Sequence, residues 1–337
     1  MPNSKYRTKS RRETPWTYKQ QPEKDEKFID DCINKLYHDK HPDLKGSGEA
    51  ELLNSIVPEK CPHCNHPGFQ CFGKTENGIN RYRCKSCRKT FTITTKTLLA
   101  NHRIPVTEWI EFLLGIFRSQ SFASISKANR NSETTTGYWL AKLYLILENY
   151  QDGILLQDEV QIDETFYSVI KKDLASKEDG TLYRGLSRNK ICMGIGCDNA
   201  GHVYCKVEGF GKPTKRATME IFKDHIKKGS KVVHDMEKSH APLVNALELT
   251  STTYNSESLK GLPDKDNPLT PINTCCRELK DFLHSHKSFQ RSNLPDYLNL
   301  FAFIHNPPHD PHEKIKLILK WITTTLKTLS YREKWSN

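Results

Sequence analysis

The sequence predicts a mixed α/β protein built from several modules. Three observations predict it: two Cys-x2-Cys pairs with nineteen residues between them, amphipathic helical segments behind them, and a long alternation of strand and helix patterns after that. The chain has 337 residues, enough for about two domains of ~150 residues each. It is 36% hydrophobic and 27% charged, with a mean hydropathy of −0.68, on the polar side of average for a globular protein. No stretch approaches the roughly 18 to 20 uncharged apolar residues of a membrane span, and the N-terminus lacks an apolar h-region. The expectation is a cytoplasmic, nucleoid-associated bacterial protein with no membrane partner.

Residues 1–57 read as a basic tail and an acidic, small helical extension. The formal net charge is +11, and its placement is uneven. Residues 1–20 carry six basic and one acidic residue, residues 21–59 five and ten, and residues 60–103 nine and one. Two concentrated basic blocks are the footprint of a surface that meets a polyanion, although a solvated lysine-rich face has the same composition.

Residues 58–98 read as a zinc ribbon. Cys61, Cys64, Cys84 and Cys87 have the spacing with which two short loops point four thiolates at one structural Zn2+. Such a closed site has no open coordination position, so it holds a fold and runs no reaction. Glu76-Asn77-Gly78 supplies a hairpin turn between flanking strands, and Lys89 to Thr94 alternates as a third strand. The remaining cysteines of the eleven show no disulfide framework, which fits a reduced compartment. The second half of the ribbon holds Arg81, Arg83, Lys85, Arg88 and Lys89 around Tyr82, a density suited to a phosphate backbone.

Residues 99–150 predict three helices: Thr107 to Phe117, Ser121 to Ala128, and one that starts at Ser132-Glu133 after the polar turn Asn129-Arg130-Asn131. A helix-turn-helix has this pattern and would offer Thr134, Thr135, Thr136, Tyr138 and Lys142 to DNA, Thr134, Thr135 and Lys142 foremost. A plain three-helix packing unit has it too.

Residues 155–290 follow the order strand, strand, strand, helix, strand, helix, strand, helix, which is that of a ribonuclease H-like fold. The strands are Glu159 to Tyr167, Ile191 to Cys197, His202 to Val207, Lys231 to Asp235, and one near Thr252. The helices are Ala217 to Lys228, Ser239 to Leu247, and one after Pro271. Asp163 stands inside an apolar strand, where ionisation is expensive unless something positive compensates. Asp235 closes the fourth strand, and in this topology the first and fourth strands are neighbours. The two carboxylates could therefore converge on one hard divalent ion, Mg2+ or Mn2+, and support phosphoryl transfer. Each could instead cap a turn or pair with a nearby cation. A third ligand is expected from the last helix, where Asn273 and Glu278 compete; Asn273 and Lys280 share a face, and Glu278 is turned about 140° from Asn273. Residues 291–337 read as a helical C-terminal segment.

Gln161-Ile162-Asp163-Glu164-Thr165-Phe166, the run His234-Asp235-Met236-Glu237-Lys238-Ser239-His240, and Ile272-Asn273 to Lys280 followed by Tyr297 to Phe303, all behind the cysteine pairs, resemble insertion-sequence transposases of the family numbered 1595. The resemblance covers about residues 58–308. It implies a ribonuclease H-fold DNA transposase with Asp163, Asp235 and Asn273 as the catalytic metal triad and Lys280 as its partner. An Asn in the third position departs from the commonest acidic triad, and Glu278 or Glu164 could contribute instead. The implied partners are the element's terminal inverted repeats and target DNA, held by at least a homodimer. A zinc-ribbon regulator without catalysis, or a nuclease of the same fold, are the rival readings.

Overall fold

A computed structural model describes residues 48–102, 106–129, 131–169, 174–286 and 291–334. Most of the expected N-terminal extension, residues 1–47, lies outside the described residues, as does Arg130 of the predicted turn. The chain is mixed α/β, with helices and two sheets, and divides into two compact units: residues 1–143 with 314–337, and residues 144–313.

The first unit opens with α1 (Glu49–Asn54), followed by an antiparallel sheet of β1 (Phe69–Lys74), β2 (Asn80–Cys84) and β3 (Thr90–Phe91). The Asn54 side chain clamps the hairpin, donating to Gly78 O at 3.0 Å and accepting from Asn80 N at 2.7 Å. Phe69, Tyr82 and Phe91 pack ring against ring at 5.3–5.6 Å on the face that also buries Cys61 and Cys84. The third strand is shorter than its alternation predicts. Past Phe91 the threonine hydroxyls compete for the backbone: Thr92 N donates to Thr95 Oγ1 at 2.9 Å and Thr97 Oγ1 donates to Thr94 O at 2.8 Å, turning the chain.

The helices α2 (Val106–Phe117), α3 (Phe122–Ala128) and α4 (Glu133–Leu147) fall where their apolar stripes and caps predict. Ser121 caps α3 by accepting from Ser124 N. Gly115 lets α3 approach α2, since a Cβ there would sit 2.8 Å from Ile125 Cγ1. Phe112 joins α2 to α4 through an edge-on contact with Trp139 at 5.6 Å. Later in the chain come α9 (Pro311–Thr324) and α10 (Tyr331–Lys334), and the Tyr138 hydroxyl donates to Leu329 O at 2.6 Å.

The second unit is a five-stranded sheet of β4 (Glu159–Ser168), β5 (Lys190–Asp198), β6 (Val203–Phe210), β7 (Lys231–Asp235) and β8 (Thr250–Tyr254) in the order β6-β5-β4-β7-β8. The β4–β5 and β5–β6 pairs are antiparallel and the β4–β7 and β7–β8 pairs parallel, so the first and fourth strands of this unit are neighbours. One face buries Val160, Ile162, Tyr204 and Val232 against Ile221 and Phe222 of α5 (Lys215–Phe222) and Leu243 of α6 (Ala241–Ala246). Gly194 and Gly196 of β5 make that approach possible, because Cβ atoms there would meet Ile221 Cδ1 at 2.3 Å and Leu156 Cδ1 at 2.8 Å. Both helices are shorter than expected; α5 ends at Phe222, and the run from Lys238 to His240 is a separate 3-10 turn. The other face is crossed by α7 (Thr270–Ser285), tied to β4 by Gln161, which donates to Pro268 O at 3.0 Å and accepts from Ile272 N at 3.2 Å. Helix α8 (Leu294–His305) packs beside β6.

Candidate metal centres and nucleic-acid surface

Four cysteines converge in the first unit. Cys61 Sγ lies 3.8 Å from Cys87 Sγ and Cys64 Sγ lies 3.6 Å from Cys84 Sγ, with all four sulfurs within 4.8 Å of one another. A tetrahedron of ~2.3 Å metal–sulfur bonds has edges of about 3.8 Å, whereas a disulfide needs about 2.05 Å. The two loops repeat one design. Cys61 N donates to His66 O at 2.9 Å around Asn65 (φ 58°), and Cys84 N donates to Lys89 O at 3.0 Å around Arg88 (φ 60°). Burial alone would raise the Cys84 thiol, but the N–H groups of Cys87 and Ser86 and the thiols of Cys64 and Cys87 outweigh it and bring it down to about 6. The four residues fit a thiolate-bound metal ion; His63, His66 and Cys71 are not in the group.

The second unit brings Asp163 and Asp235 together by register. The parallel ladder pairs Glu159 with Lys231, Val160 with Val232 and Gln161 with Val233; carried two residues further, it sets Asp163 opposite Asp235. Side chains alternate faces along a strand, so Asp163 leaves the face away from Ile162, the face that α7 crosses, while the Asp235 carboxylate, at the strand's end, lies within 4.8 Å of a ring nitrogen of His234 and of His240. The proximity of the two carboxylates is visible electrostatically. Burial, then the negative charges of Glu164 and Asp235, push the Asp163 carboxyl up to about 6, against the pull of its bond from Glu164 N at 2.8 Å and of His240. A half-buried carboxyl whose charge burial and a neighbouring carboxylate disfavour belongs to a donor set suited to a hard divalent cation.

Glu164, weighed as a spare ligand, points to the opposite face. Its Oε1 accepts from His240 Nε2 at 2.9 Å and from Ser239 Oγ at 3.4 Å, and both members of the ion pair are buried. The chain continues: His240 Nδ1 meets His234 Nδ1 at 2.8 Å, and His234 Nε2 meets Ser251 Oγ at 3.0 Å. Burial works against a charged His240, but Glu164, Asp235 and Asp163 raise its pKa. Burial and the neighbouring His240 lower His234 to about 4. A doubly protonated His240 donating to Glu164 and to a neutral His234, which donates in turn to Ser251, satisfies every bond and agrees with the raised His240 and lowered His234 pKa values. His234, Asp235 and His240 also form the second close group of ligand atoms among the described residues. Sequence reasoning missed this network; its one signal is the His-Asp-x4-His run at residues 234–240.

On α7 the residue against Asp163 is Cys276, whose Sγ is 3.9 Å from Asp163 Oδ2; burial and Asp163 raise its thiol pKa, and the Lys280 charge nearby opposes that. Asn273 and Lys280 stand three residues before and four after Cys276, on one side of the helix. Both are exposed. Glu278 is exposed too, and pairs with His305 of α8, 3.5 Å away. Of the two competing third ligands, Asn273 therefore shares the side of α7 that carries Cys276 to Asp163, and Glu278 does not.

The basic residues expected to meet DNA divide. Lys85, Arg88 and Lys89 are exposed, while Arg81 and Arg83 are half-buried and lie over the Phe72 ring. Thr134 is exposed, Thr135 half-buried and Thr136 buried. Lys142 needs correction as a surface contact. It is buried, its ammonium sits 4.4 Å from the centre of the Tyr138 ring, and burial lowers its pKa to about 8. Helix α4 is packed on more of its circumference than a one-sided stripe predicts, and Lys142 falls on the covered part.

No family profile and no curated protein matches the chain. Among solved structures it is similar to a Mos1 mariner paired-end complex with Mn, at 13% identity over 63% of this chain and 78% of that one, with a TM-score of 0.21. It is also similar to a pre-cleavage Mos1 transpososome (12% identity, 63% and 78% covered, TM-score 0.20) and to a Mos1 transposase paired-end complex with the left transposon end (13% identity, 66% and 80% covered, TM-score 0.21). Superpositions at this level do not establish a common fold. Among the described residues no helix is long and apolar enough to cross a membrane.

Proposed function

We propose that the chain is a DNA transposase of the kind its motifs resemble, with a ribonuclease H-like catalytic domain that cleaves and joins DNA strands at the ends of an insertion sequence. The observation that carries this reading is the pair Asp163 and Asp235, two residues past the last shared rung of adjacent parallel strands, close enough that the Asp235 charge raises the Asp163 pKa, with α7 packed against Asp163. The strand order, three antiparallel strands followed by two parallel to the first, supports the fold assignment.

Asp163 and Asp235 would hold Mg2+ or Mn2+, with the amide oxygen of Asn273 as third ligand. A divalent ion bound there supplies activation of the attacking oxygen and stabilisation of the leaving one. The protein's own part is positioning: two carboxylates fixed by the strands and a neutral third donor on the helix. Lys280, exposed one turn beyond Cys276, offers a point charge to a DNA phosphate. In the other unit, Cys61, Cys64, Cys84 and Cys87 would hold structural Zn2+ in a zinc ribbon. Arg81, Arg83, Lys85, Arg88 and Lys89 on the ribbon and Thr134 and Thr135 of a helix-turn-helix would meet the terminal repeats. Holding two element ends requires at least a dimer on DNA, which light scattering of the complex measures.

The deciding experiment incubates the full chain with element-end DNA and magnesium or manganese, beside Asp163→Ala and Asp235→Ala. Cleavage and strand transfer by wild type alone support the reading. Equal behaviour of all three proteins removes the active-site assignment, and cleavage without joining leaves a nuclease.

A further inference from the structure

The outer face of the three-stranded sheet carries a feature that catalysis does not use. Between the pairs Cys71↔Tyr82 and Lys74↔Asn80, β1 holds Phe72 and Gly73 where β2 holds only Arg81. A bulge of this kind re-aims the side chains beside it. Gly73 takes a φ of +80°, which a residue with a Cβ adopts only under strain. Alternation along β1 places Phe72 on the face away from the Phe69–Tyr82–Phe91 core, beside Arg81 and Arg83, and it is 40% exposed. The guanidinium carbons of Arg81 and Arg83 lie 5.4 and 5.3 Å from its ring centre. An open groove runs from this ring past His63, Arg83, Arg88, Lys89 and Thr90, and none of these lining residues is acidic.

Cations alone suffice to grip the phosphates of a duplex, whose bases hide their faces in the stack. An exposed ring among cations adds something a duplex cannot use, a π-face for a base that has left the stack. An apolar protein partner fits less well, because the neighbours of the Phe72 ring are cationic. We propose that this groove binds single-stranded DNA, with one unstacked base on Phe72 and the flanking phosphates on Arg83, Arg88 and Lys89. The inference rests on the DNA-binding reading above and adds the form of DNA that this face takes.

Fluorescence anisotropy of the full chain with a dye-labelled oligothymidine, and separately with a mixed-sequence duplex, tests it. Phe72→Ala should weaken oligothymidine binding on the order of ten- to a hundred-fold and change duplex affinity far less. Phe72→Trp should retain the affinity, which separates stacking from misfolding. The salt dependence should be unaltered in Phe72→Ala, while Arg88→Gln should lower the slope of log K on log salt by roughly 0.7. Oligothymidine binding that ignores Phe72, or that falls with duplex binding to the same extent, overturns the inference, as does a Trp variant as weak as Ala. If wild type binds neither DNA, the DNA-binding reading itself fails. Intact duplex binding and metal-dependent cleavage in a protein indifferent to Phe72 would sink this inference alone.

Discussion

Replacing Asp163 with Asn should make the metal-free protein more stable at neutral pH while removing its proposed activity. The substitution keeps the side chain's shape and leaves an oxygen to accept the bond from Glu164 N. What it removes is a charge that burial and the carboxylates of Glu164 and Asp235 disfavour, raising the pKa from 3.8 to about 6. That is about two pKa units at ~1.4 kcal/mol each, so the gain is at most about 3 kcal/mol. The sign follows from linkage. The folded pKa lies above the unfolded one, so the protonated side chain's contribution is fully present below about pH 4 and is lost as pH rises through about 6. The variant should therefore match wild type near pH 4 and exceed it above about pH 6. Urea denaturation across that range, in buffer with zinc retained and no added magnesium, measures the difference. Adding magnesium should stabilise wild type and not the variant. An Asn variant that is less stable than wild type by the same amount at every pH would show that this carboxylate is a structural anchor, and the reasoning would fail.

Cys84→Ser should unfold the three-stranded module, since a structural zinc is worth on the order of 10 kcal/mol in zinc-finger peptides; hydrogen exchange should show lost protection in β1 and β2 with the five-stranded sheet intact. Lys142→Met should raise stability at neutral pH by up to about 3 kcal/mol, from a pKa lowered from 10.5 to about 8. The advantage should shrink as pH climbs from about 8 to 10.5, where the wild-type amine loses its proton in the folded state first, and duplex affinity should not change. Asn273→Ala should cut strand cleavage on the order of a hundred-fold, and Glu278→Gln should leave it close to wild type; the reverse ranking would make Glu278 the third ligand.

The local patterns in the chain went far. The three helices of residues 106–147 and the five strands of the larger sheet are legible from apolar runs, β-branched residues and the turn and cap residues between them, and Asp163 stands out as a charge in an apolar run. The Cys-x2-Cys spacing likewise brings its four sulfurs together. What escaped depends on distance in the chain or on packing that no period records. The bond from His240 to Glu164 joins residues 76 apart, and nothing local at either end announces the other. Lys142 sits in a helix whose apolar stripe does not say how much of the remainder is covered. The third strand failed for a different reason, because threonines that suit a strand also bond to their own backbone. Phe72 reads as one more alternating strand residue until Arg81 and Arg83 are seen over its ring.

The adjacent acids of β4 divide their labour front and back. The last rung between β4 and β7 joins Gln161 to Val233, so no ladder bond reaches as far as Asp163 and Asp235. Glu164 is bridged by His240 to His234, the residue next to Asp235, and this histidine bracket spans the two strand ends, with the Asp235 carboxylate within 4.8 Å of a ring nitrogen of each histidine. The two strand ends are thus joined by a hydrogen-bonded chain that finishes at Ser251. A substitution at residue 251 would reach His234, the neighbour of Asp235, through a single hydrogen bond.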